Sequence, residues 1–537
     1  MNKLNRVLKS VCYSGIPFLL LILFAITGGC SQSDENTSDK PLAVMVSDSG
    51  SFPVRGFHID LRIQVMTPEA LNKFAAELAG FGINTLVMEW EATFPYSKHS
   101  TISNKYAYTR EEISLFIKYC NSLGIDVIPL QQCFGHVEYI LRNDRYSHLK
   151  EDRKDISQLC PLKTKADSLL FSDLFSDLAS LHNSEYIHIG GDETYLLGHC
   201  PECAGKAAKD GKSKLFVDYM KMICEIIVGM GKKPVMWADI ILKYPEAAAE
   251  LPKETVFIDW NYGWNTNYFG DISSLQAKGL TFWGAPSLRS HPDNSYLYCW
   301  EKHFNNQRDF IPYARNAGYK GIIMTSWSTS GLYGFTWDIG WEVTDMHAIR
   351  NVYPLSGSRM LLASYAKAIN QKAPLIPEEF VTEYARSRFG LTLKEGEELW
   401  KILKAFPFVI TEGKVAGAIS VIALRDSIRG VVKLMDGLKP HSNIGEFDHL
   451  RLMLDLREQY LSFKTVEAEY NSGNFSTRDK SLLLRETERL VKRSVLLDRR
   501  FSGLNKGFLY ESEIRDQNFI RNQKLNILYL RLKGGRE

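Results

Sequence analysis

The sequence lacks any excess of charge of one sign, since it carries 65 lysines and arginines against 62 aspartates and glutamates. A formal net charge of +3 over 537 residues gives no basic surface of the kind that binds a phosphate backbone. We therefore expect no nucleic-acid partner. Internal repeats and low-complexity segments are also missing, and 45% hydrophobic residues is ordinary for a globular chain of one large domain and a second one.

Cysteine is too sparse and too scattered for a disulfide framework. Nine are present, and once two in the N-terminal leader are set aside an odd seven remain. Only Cys200 and Cys203 form a close pair, in a C-P-E-C spacing typical of a zinc knuckle that Cys160 or His199 could complete. A local disulfide or free thiols are the alternatives. For the chemistry itself we predict no metal and no cofactor.

The N-terminus has the features of a targeting segment. Basic residues precede an apolar run from Ile16 to Ile26, which is too short to span a bilayer comfortably. The small residues of T-G-G-C resemble a bacterial lipoprotein cleavage site, with Cys30 as the lipidated first residue. We predict a signal peptide over residues 1–30 and a flexible tether over 31–53, which anchor the protein in the cell envelope, at the outer membrane or the cell surface. Plain secretion and an uncleaved anchor are the alternatives.

From Gly56 onward, short apolar runs alternate with helical stretches. The predicted strands are Gly56–Arg62, Ile83–Trp90, Ile125–Leu130, Tyr186–Ile189, Pro234–Asp239, Val256–Tyr262, Leu280–Pro286 and Gly321–Trp327. No glycine-rich phosphate loop follows the first strand, which disfavours a doubly wound sheet. The pattern predicts a (β/α)8 TIM barrel over residues 54–358, followed by an all-helical C-terminal domain over 359–537.

The predicted strand ends carry polar and aromatic residues, and active sites of such barrels form at those ends. His58, Asp60 and Arg62 share one face of the first strand. A purely structural ion pair between Asp60 and Arg62 is the alternative to a functional reading. Three further strands end with tryptophans, namely Trp237, Trp260 and Trp327. One such residue would indicate packing, whereas three indicate a box around a ring-shaped ligand.

The stretch Y-I-H-I-G-G-D-E-T-Y, Tyr186–Tyr195, is a buried strand that ends in two glycines and two adjacent carboxylates. Gly190 and Gly191 remove side-chain bulk, so we expect a ligand to approach the backbone there. Adjacent acids are common in charged turns, but at the end of a barrel strand Asp192 and Glu193 indicate chemistry. Two carboxylates suggest glycoside hydrolysis. Neighbours in sequence flank one bond poorly, so we expect the second acid to have another task.

H-I-G-G-D-E, His188–Glu193, resembles the signature of glycoside hydrolase family 20, the β-N-acetylhexosaminidases. R-G-F-H-I-D-L-R, Arg55–Arg62, is similar to the family's first strand, and V-I-P-L-Q-Q-C-F-G-H, Val127–His136, to its third strand and G-H element. The resemblance covers roughly Val54–Gly334. The continuation T-Y-L-L-G-H-C-P-E-C, with a helical C-terminal domain, resembles the hexosaminidase D-like branch.

The resemblance implies an exo-acting β-N-acetylhexosaminidase that removes terminal β-linked GlcNAc or GalNAc from glycans. Glu193 would be the general acid and then the base, so we expect burial and Asp192 to raise its pKa. Asp192 would orient the 2-acetamido group of the substrate, whose carbonyl oxygen attacks the anomeric carbon with net retention. His136 would support Glu193, and Arg62 would bind hydroxyls of the terminal sugar.

The three tryptophans would form the walls of the pocket around the sugar ring and its acetamido group. Strand seven reads F-W-G-A-P-S, Phe282–Ser287, and lacks the tyrosine that the family often supplies there, so Tyr262 is our predicted hydrogen bond to the acetamido carbonyl. Trp327 is followed by serine and threonine rather than by an acid. The choice between GlcNAc and GalNAc therefore stays open.

Two other functions are compatible with the residues. A non-catalytic carbohydrate-binding lipoprotein would use the same barrel, although a binder does not need the intact acid pair. A two-carboxylate retaining glycosidase would use a distant nucleophile, Glu89 or Asp239, and would cleave sugars that lack the acetamido group.

Overall fold

The computed structural model describes residues 52–290, 293, 296–328, 335–337, 346–348, 352–405, 410–411, 414–415, 419–473 and 475–534. The leader, Cys30 and residues 31–51 of the predicted tether lie outside these residues, whereas Phe52, at the end of the predicted tether, is described and buried. No helix within the described ranges is both long enough and apolar enough to cross a membrane.

Eight parallel strands form a closed barrel, as predicted. The described strands are β1 (Val54–Asp60), β2 (Thr85–Glu89), β3 (Asp126–Leu130), β4 (Tyr186–His188), β5 (Lys233–Trp237), β6 (Val256–Trp260), β7 (Thr281–Ala285), β8 (Ser287–Arg289), β9 (Gly321–Ser326), β10 (Phe335–Trp337), β11 (Met346–Ala348), β12 (Ile410–Thr411) and β13 (Lys414–Val415). The order is β1-β2-β3-β4-β5-β6-β7-β9, and β1 also pairs with β9, which closes the ring. The short strand β8 continues β7 beyond Pro286 and pairs with the end of β9.

Helices alternate with the barrel strands and then make up most of the C-terminal region. They are α1 (Pro68–Gly80), α2 (Arg110–Ser122), α3 (Glu138–Leu141), α4 (Thr164–Ala179), α5 (Pro201–Asp210), α6 (Lys212–Gly229), α7 (Asp239–Lys243), α8 (Ser273–Gln276), α9 (Trp300–Asn316), α10 (Arg359–Asn370), α11 (Pro377–Phe389), α12 (Leu393–Leu403), α13 (Val421–Gly437), α14 (Ile444–Tyr470), α15 (Thr477–Asn505) and α16 (Glu511–Lys533). Local sequence fixes several starts. Thr67 caps α1 before a proline, and Thr109 forms a capping box with Glu112 at α2.

Apolar side chains fill the barrel interior and leave the polar groups for its mouth. Val87, Ile128, Val235, Ile258 and Ile323 are all buried in one interior cluster. The residues of opposite parity on the strands pack outward against the helices. The polar face of β1 points inward, because the ring of His58 contacts tryptophan rings inside the barrel.

The C-terminal region is helical as predicted, with one short addition, the antiparallel pair β12–β13. It supports the β1 side of the barrel. Tyr365 on α10 donates hydrogen bonds to the carbonyl oxygens of Gly56 (2.9 Å) and Ile322 (3.2 Å). The segment between α15 and α16 contacts the loop after β1, where the N–H of Thr67 donates to the Phe508 carbonyl at 3.0 Å.

Candidate active site

The loop after β4 depends on two glycines in the left-handed region. Gly190 has a φ of 70° and Gly191 a φ of 91°. A Cβ on Gly190 would lie 1.9 Å from Oε1 of Gln132, and one on Gly191 would lie 2.9 Å from the Cε of Met220. The expectation that these glycines open the backbone to a ligand is therefore wrong. The space beside them is filled by the protein, and they serve to turn the chain.

The turn brings Asp192 and Glu193 against His136, which lies on the loop after β3. Nε2 of His136 is 3.3 Å from Oδ2 of Asp192 and 3.2 Å from Oε2 of Glu193. The two loops approach closely at Gly135, where a Cβ would lie 2.6 Å from the Asp192 carbonyl oxygen. His136 thus contacts Glu193, as predicted, and contacts Asp192 equally.

The two carboxylate oxygens of Asp192 differ in their contacts, because only Oδ2 lies beside His136. Its side chain is buried, and among the residues that the structure describes Oδ1 has no hydrogen-bond donor. A buried acceptor without a donor is costly for a protein to maintain, and such groups are rare. This oxygen is placed to accept an N–H or O–H from a bound molecule.

Glu193 is held in its charged form in this structure. Burial raises the pKa of its carboxyl, but the hydrogen bond and charge of His136, the Tyr195 hydroxyl and the Arg62 guanidinium together lower that pKa below its ordinary 4.5. Tyr195 donates to Oε1 at 2.6 Å. The expectation of a raised pKa is therefore wrong for the free site, because the hydrogen bonds from His136 and Tyr195 and the charges of His136 and Arg62 outweigh burial.

A third carboxyl, Asp239, lies behind this pair. Its Oδ2 accepts the backbone N–H of Glu193 at 3.1 Å, and its Oδ1 accepts the indole N–H of Trp260 at 3.4 Å. Burial, followed by repulsion from Asp192, raises the pKa of Asp239 to about 7. Asp239 thus ties the backbone of Glu193 to β5 while keeping its own proton at mildly acid pH.

Backbone strain is concentrated at this end of the barrel. Gln64, Glu91, His136 and Glu193 have φ values of 60°, 46°, 55° and 46°, and they follow β1, β2, β3 and β4 respectively. Non-glycine residues in the left-handed region cost roughly 1–3 kcal/mol each and persist where the surroundings hold them. Such strain is typical of active sites.

Arg62 lies in an acidic network at the mouth. Its guanidinium is 3.3 Å from Asp60, 3.1 Å from Glu89 and 3.3 Å from Glu91, and it lies 5.4 Å from the ring centre of Trp327. The Asp60–Arg62 ion pair therefore exists, but it is one contact of a larger cluster.

The two glutamates of this network differ in charge. Burial would raise the pKa of Glu89, yet Arg62 and His58 hold it at about 2. Burial, together with repulsion from neighbouring carboxylates such as Glu89, raises the pKa of Glu91 well above its ordinary value, although the charge of Arg62 opposes the rise. The network therefore binds Arg62 with one firmly ionised partner and one that favours its protonated form.

The predicted aromatic residues form one cluster. The ring centres of Trp237 and Trp327 are 5.8 Å apart, and those of Trp260 and Tyr262 are 5.1 Å apart. The indole N–H of Trp327 donates to the Tyr262 hydroxyl at 2.7 Å, which joins the two pairs. Trp237, Tyr262 and Trp327 are buried, whereas Trp260 is half-buried.

Comparison with known proteins identifies the family of the chain. Residues 52–321 match the model of "Glycosyl hydrolase family 20, catalytic domain". The chain belongs to this family. It is 25% identical to Hexosaminidase D of Bos taurus over 296 residues, 51% of this chain and 84% of that protein. Hexosaminidase D of Homo sapiens is 26% identical over 305 residues, 52% of this chain and 61% of that protein.

Solved structures include a β-N-acetylhexosaminidase from Bacteroides fragilis, which is 17% identical with a TM-score of 0.46 and covers 63% of this chain and 70% of that one. The membership confirms the resemblance carried by His188–Glu193. The family 20 chain is accordingly a glycoside hydrolase of the β-N-acetylhexosaminidase type, acting on N-acetylhexosamine.

Sequence reasoning missed several residues of this family 20 site. Tyr195 lies on the same loop as the acid pair, and its place two residues after Glu193 was the available clue. Gln132 donates to Glu89 at 3.2 Å, and Glu91 contacts Arg62. Neither carries a local pattern that marks it, because both act through contacts between different strand ends.

Proposed function

We propose that this family 20 enzyme is an exo-acting β-N-acetylhexosaminidase that cleaves terminal β-linked GlcNAc or GalNAc by substrate-assisted, retaining catalysis. The observation that carries the proposal is that the two neighbouring acids differ in their hydrogen-bond partners. Oδ1 of Asp192 is a buried acceptor without a donor among the described residues, while Glu193 is positioned by His136, Tyr195 and Asp239.

Each acid then has one task. The acetamido N–H of the bound sugar donates to Asp192, which orients the group and stabilises the positive charge that develops on it. The acetamido carbonyl oxygen attacks the anomeric carbon, while Glu193 gives its proton to the departing glycosidic oxygen. Water then attacks the anomeric carbon of the oxazolinium ion and passes a proton to Glu193, which restores the acid.

Glu193 must be protonated when substrate is bound, although its pKa is low in the free site. A sugar in the mouth would exclude water and compete with the Tyr195 hydroxyl for Oε1. Both changes raise the pKa of a carboxyl. We therefore assign to substrate binding the rise in pKa that general acid catalysis needs.

The two-carboxylate alternative finds little support among the candidate nucleophiles. Glu89 accepts from Arg62 and Gln132 on one oxygen and contacts His58 with the other. Asp239 accepts from Glu193 and Trp260. A carboxylate engaged at both oxygens attacks poorly, whereas Asp192 keeps one oxygen for the substrate.

The test is hydrolysis of chromogenic β-GlcNAc, β-GalNAc and β-glucoside by the wild type, Asp192→Asn and Glu193→Gln. We expect cleavage of acetamido sugars alone, and losses of kcat/KM of about 10²–10³-fold and 10²–10⁴-fold in the two variants. Substrates with one, two or three fluorines on the acetyl group should react progressively more slowly, because fluorine weakens the carbonyl nucleophile. Equal rates across that series, or efficient β-glucoside hydrolysis, would contradict the mechanism.

Exo action is supported by Arg62, whose guanidinium at the mouth can bind hydroxyls that only a terminal sugar leaves free. Oligosaccharides labelled at the reducing end should lose one residue at a time from the other end. The same oligosaccharides blocked at their non-reducing end should resist hydrolysis. Release of internal fragments would contradict exo action.

We also propose that Cys30 is lipidated and holds the enzyme in the outer membrane, with its catalytic barrel facing glycans. The support is the leader sequence. In a bacterial host that processes lipoproteins, the wild type should partition with membranes and carry acyl chains at Cys30 by mass spectrometry. The Cys30→Ser variant should lose the acyl chains. An unmodified cysteine in the mature wild type would overturn the anchor.

A further inference from the structure

Three thiols and one carboxylate meet at a position on the outside of the barrel mouth. Sγ of Cys160 lies 3.6 Å from Sγ of Cys203 and 3.9 Å from Sγ of Cys200. Oε2 of Glu151 lies 3.3 Å from Sγ of Cys203. All four ligand atoms lie within 4.8 Å of one another, and every member except half-buried Cys200 is buried.

These separations fit a tetrahedral zinc ion. A Zn–S bond of about 2.3 Å places two sulfurs of a tetrahedron about 3.8 Å apart, and a Zn–O bond of about 2.0 Å places oxygen and sulfur about 3.5 Å apart. The observed separations around Cys160 and Cys203 match both values. A disulfide needs its sulfurs about 2.05 Å apart, and Cys160 stands at nearly equal distances from two partners rather than close to one.

Hydrogen bonds from backbone N–H groups orient the carboxylate and the cysteine pair toward a common position. Oε1 of Glu151 accepts the N–H groups of His199 (2.7 Å) and Cys200 (2.8 Å), which turns Oε2 toward the thiols. Cys200 caps helix α5, and its sulfur accepts the N–H of Cys203 at 3.4 Å. Hydrogen bonds of this kind orient metal ligands and tune their basicity.

The imidazole of His199 does not join this group. It contacts Asp152 at 3.1 Å, and about half of its side chain is exposed. The sequence offered Cys160 or His199 as partners of the C-P-E-C pair. The structure brings Cys160 to the pair and adds Glu151, which no spacing in the sequence marks.

We propose that Glu151, Cys160, Cys200 and Cys203 bind a structural Zn²⁺ ion. Four protein ligands complete the tetrahedron, so the ion has no open position for catalysis. The location of the ion indicates a structural role. Glu151 and Cys160 belong to the chain segment after β3, and Cys200 and Cys203 follow the acid pair after β4. The ion fastens together the two loops that carry His136 and Glu193.

The first test measures metal in the purified full-length protein by mass spectrometry. We expect one zinc ion per chain, retained through dialysis against a weak chelator. Exchange with Co²⁺ should give thiolate-to-cobalt charge-transfer absorption and intense visible bands of a tetrahedral site. A wild-type protein without zinc and without those bands would overturn the proposal, as would a disulfide among the three cysteines found by peptide mapping.

Variants locate the ion. Cys160→Ser and Glu151→Gln should bind zinc at least about 10-fold more weakly, by analogy with losses on altering the surroundings of metal ligands. The matched control is Cys120→Ser, which changes a buried thiol on helix α2 and should keep full zinc content. Full zinc in both ligand variants would contradict the assignment. If a variant fails to fold, the cobalt spectrum of the wild type still decides.

Discussion

Tyr195 donates a hydrogen bond of 2.6 Å to Glu193, although the tyrosine residue is 79% exposed to solvent. The bond stabilises the carboxylate that must later give up a proton. Tyr195→Phe should therefore raise the pKa of Glu193 in the free enzyme. Since the protonated acid would persist to higher pH, the alkaline limb of kcat/KM should move upward by about half a pH unit to one unit.

A pH–rate profile measures this shift. Tyr119→Phe removes the hydroxyl of a partly exposed tyrosine on helix α2 and should leave the profile unchanged. An identical alkaline limb in wild type and Tyr195→Phe would show that the hydroxyl does not control Glu193.

Gly135 permits the contact between the two catalytic loops. In Gly135→Ala the new Cβ would meet the Asp192 carbonyl oxygen at 2.6 Å, so one loop must move. We expect kcat/KM to fall at least about 10²-fold, because small misplacements of catalytic groups carry costs of that size. Gly205→Ala is the control, since nothing lies within 4 Å of its Cβ on helix α5. Equal activities would show that the loops tolerate the displacement.

Asp239 should make the stability of the protein depend on pH. Its pKa is about 7 when folded, against an ordinary 3.8, so the folded state binds this proton more tightly than the unfolded state does. The contribution therefore favours folding at low pH and is lost as pH rises from about 4 to about 7, at most about 1.4 kcal/mol per unit.

Asp239→Asn removes that titration and should gain stability relative to the wild type as pH rises through the same window. Thermal denaturation of both proteins at several pH values measures the difference in Tm. A difference that is constant with pH would contradict the raised pKa.

Arg62 offsets the charge of a buried acidic cluster. Arg62→Gln would leave Asp60 and the firmly ionised Glu89 without their cation, and removing one partner of a buried ion pair costs about 3–5 kcal/mol. Urea denaturation should show a large loss in the free energy of unfolding. Arg110→Gln breaks a more exposed contact with Asp177 and should cost about 0–1 kcal/mol. Similar losses in both variants would contradict the network's role.

The barrel could be predicted because its signal is local and repeated. Each strand is a short apolar run, and caps such as Thr67 and Thr109 mark the helices that follow. The antiparallel pair β12–β13 was not predicted, and neither was the division of β7 from β8 at Pro286. These features depend on packing against the rest of the fold, which no single window of sequence contains.

The acid pair, His136 and the aromatic cluster could be placed from sequence because the ends of parallel strands meet at one face. The charge state of Glu193 could not be predicted from the sequence. Burial was foreseeable from the strand, but of the groups that outweigh it only Tyr195 lies on the same loop, whereas His136 and Arg62 follow other strands. Glu151 was hidden for the same reason, since it joins Cys203 across 52 residues of chain.

The pairing of β1 with β9 has a consequence for anyone who shortens this protein. The family match ends at Gly321, the first residue of β9. A closed barrel needs all its strands. A fragment cut at that boundary would lose β9 and expose the edges of β1 and β7, and unpaired sheet edges promote aggregation. It would also lose helix α10, which is hydrogen-bonded to β1 through Tyr365. The smallest fragment of this enzyme that keeps a closed barrel is therefore longer than the segment that matches the family.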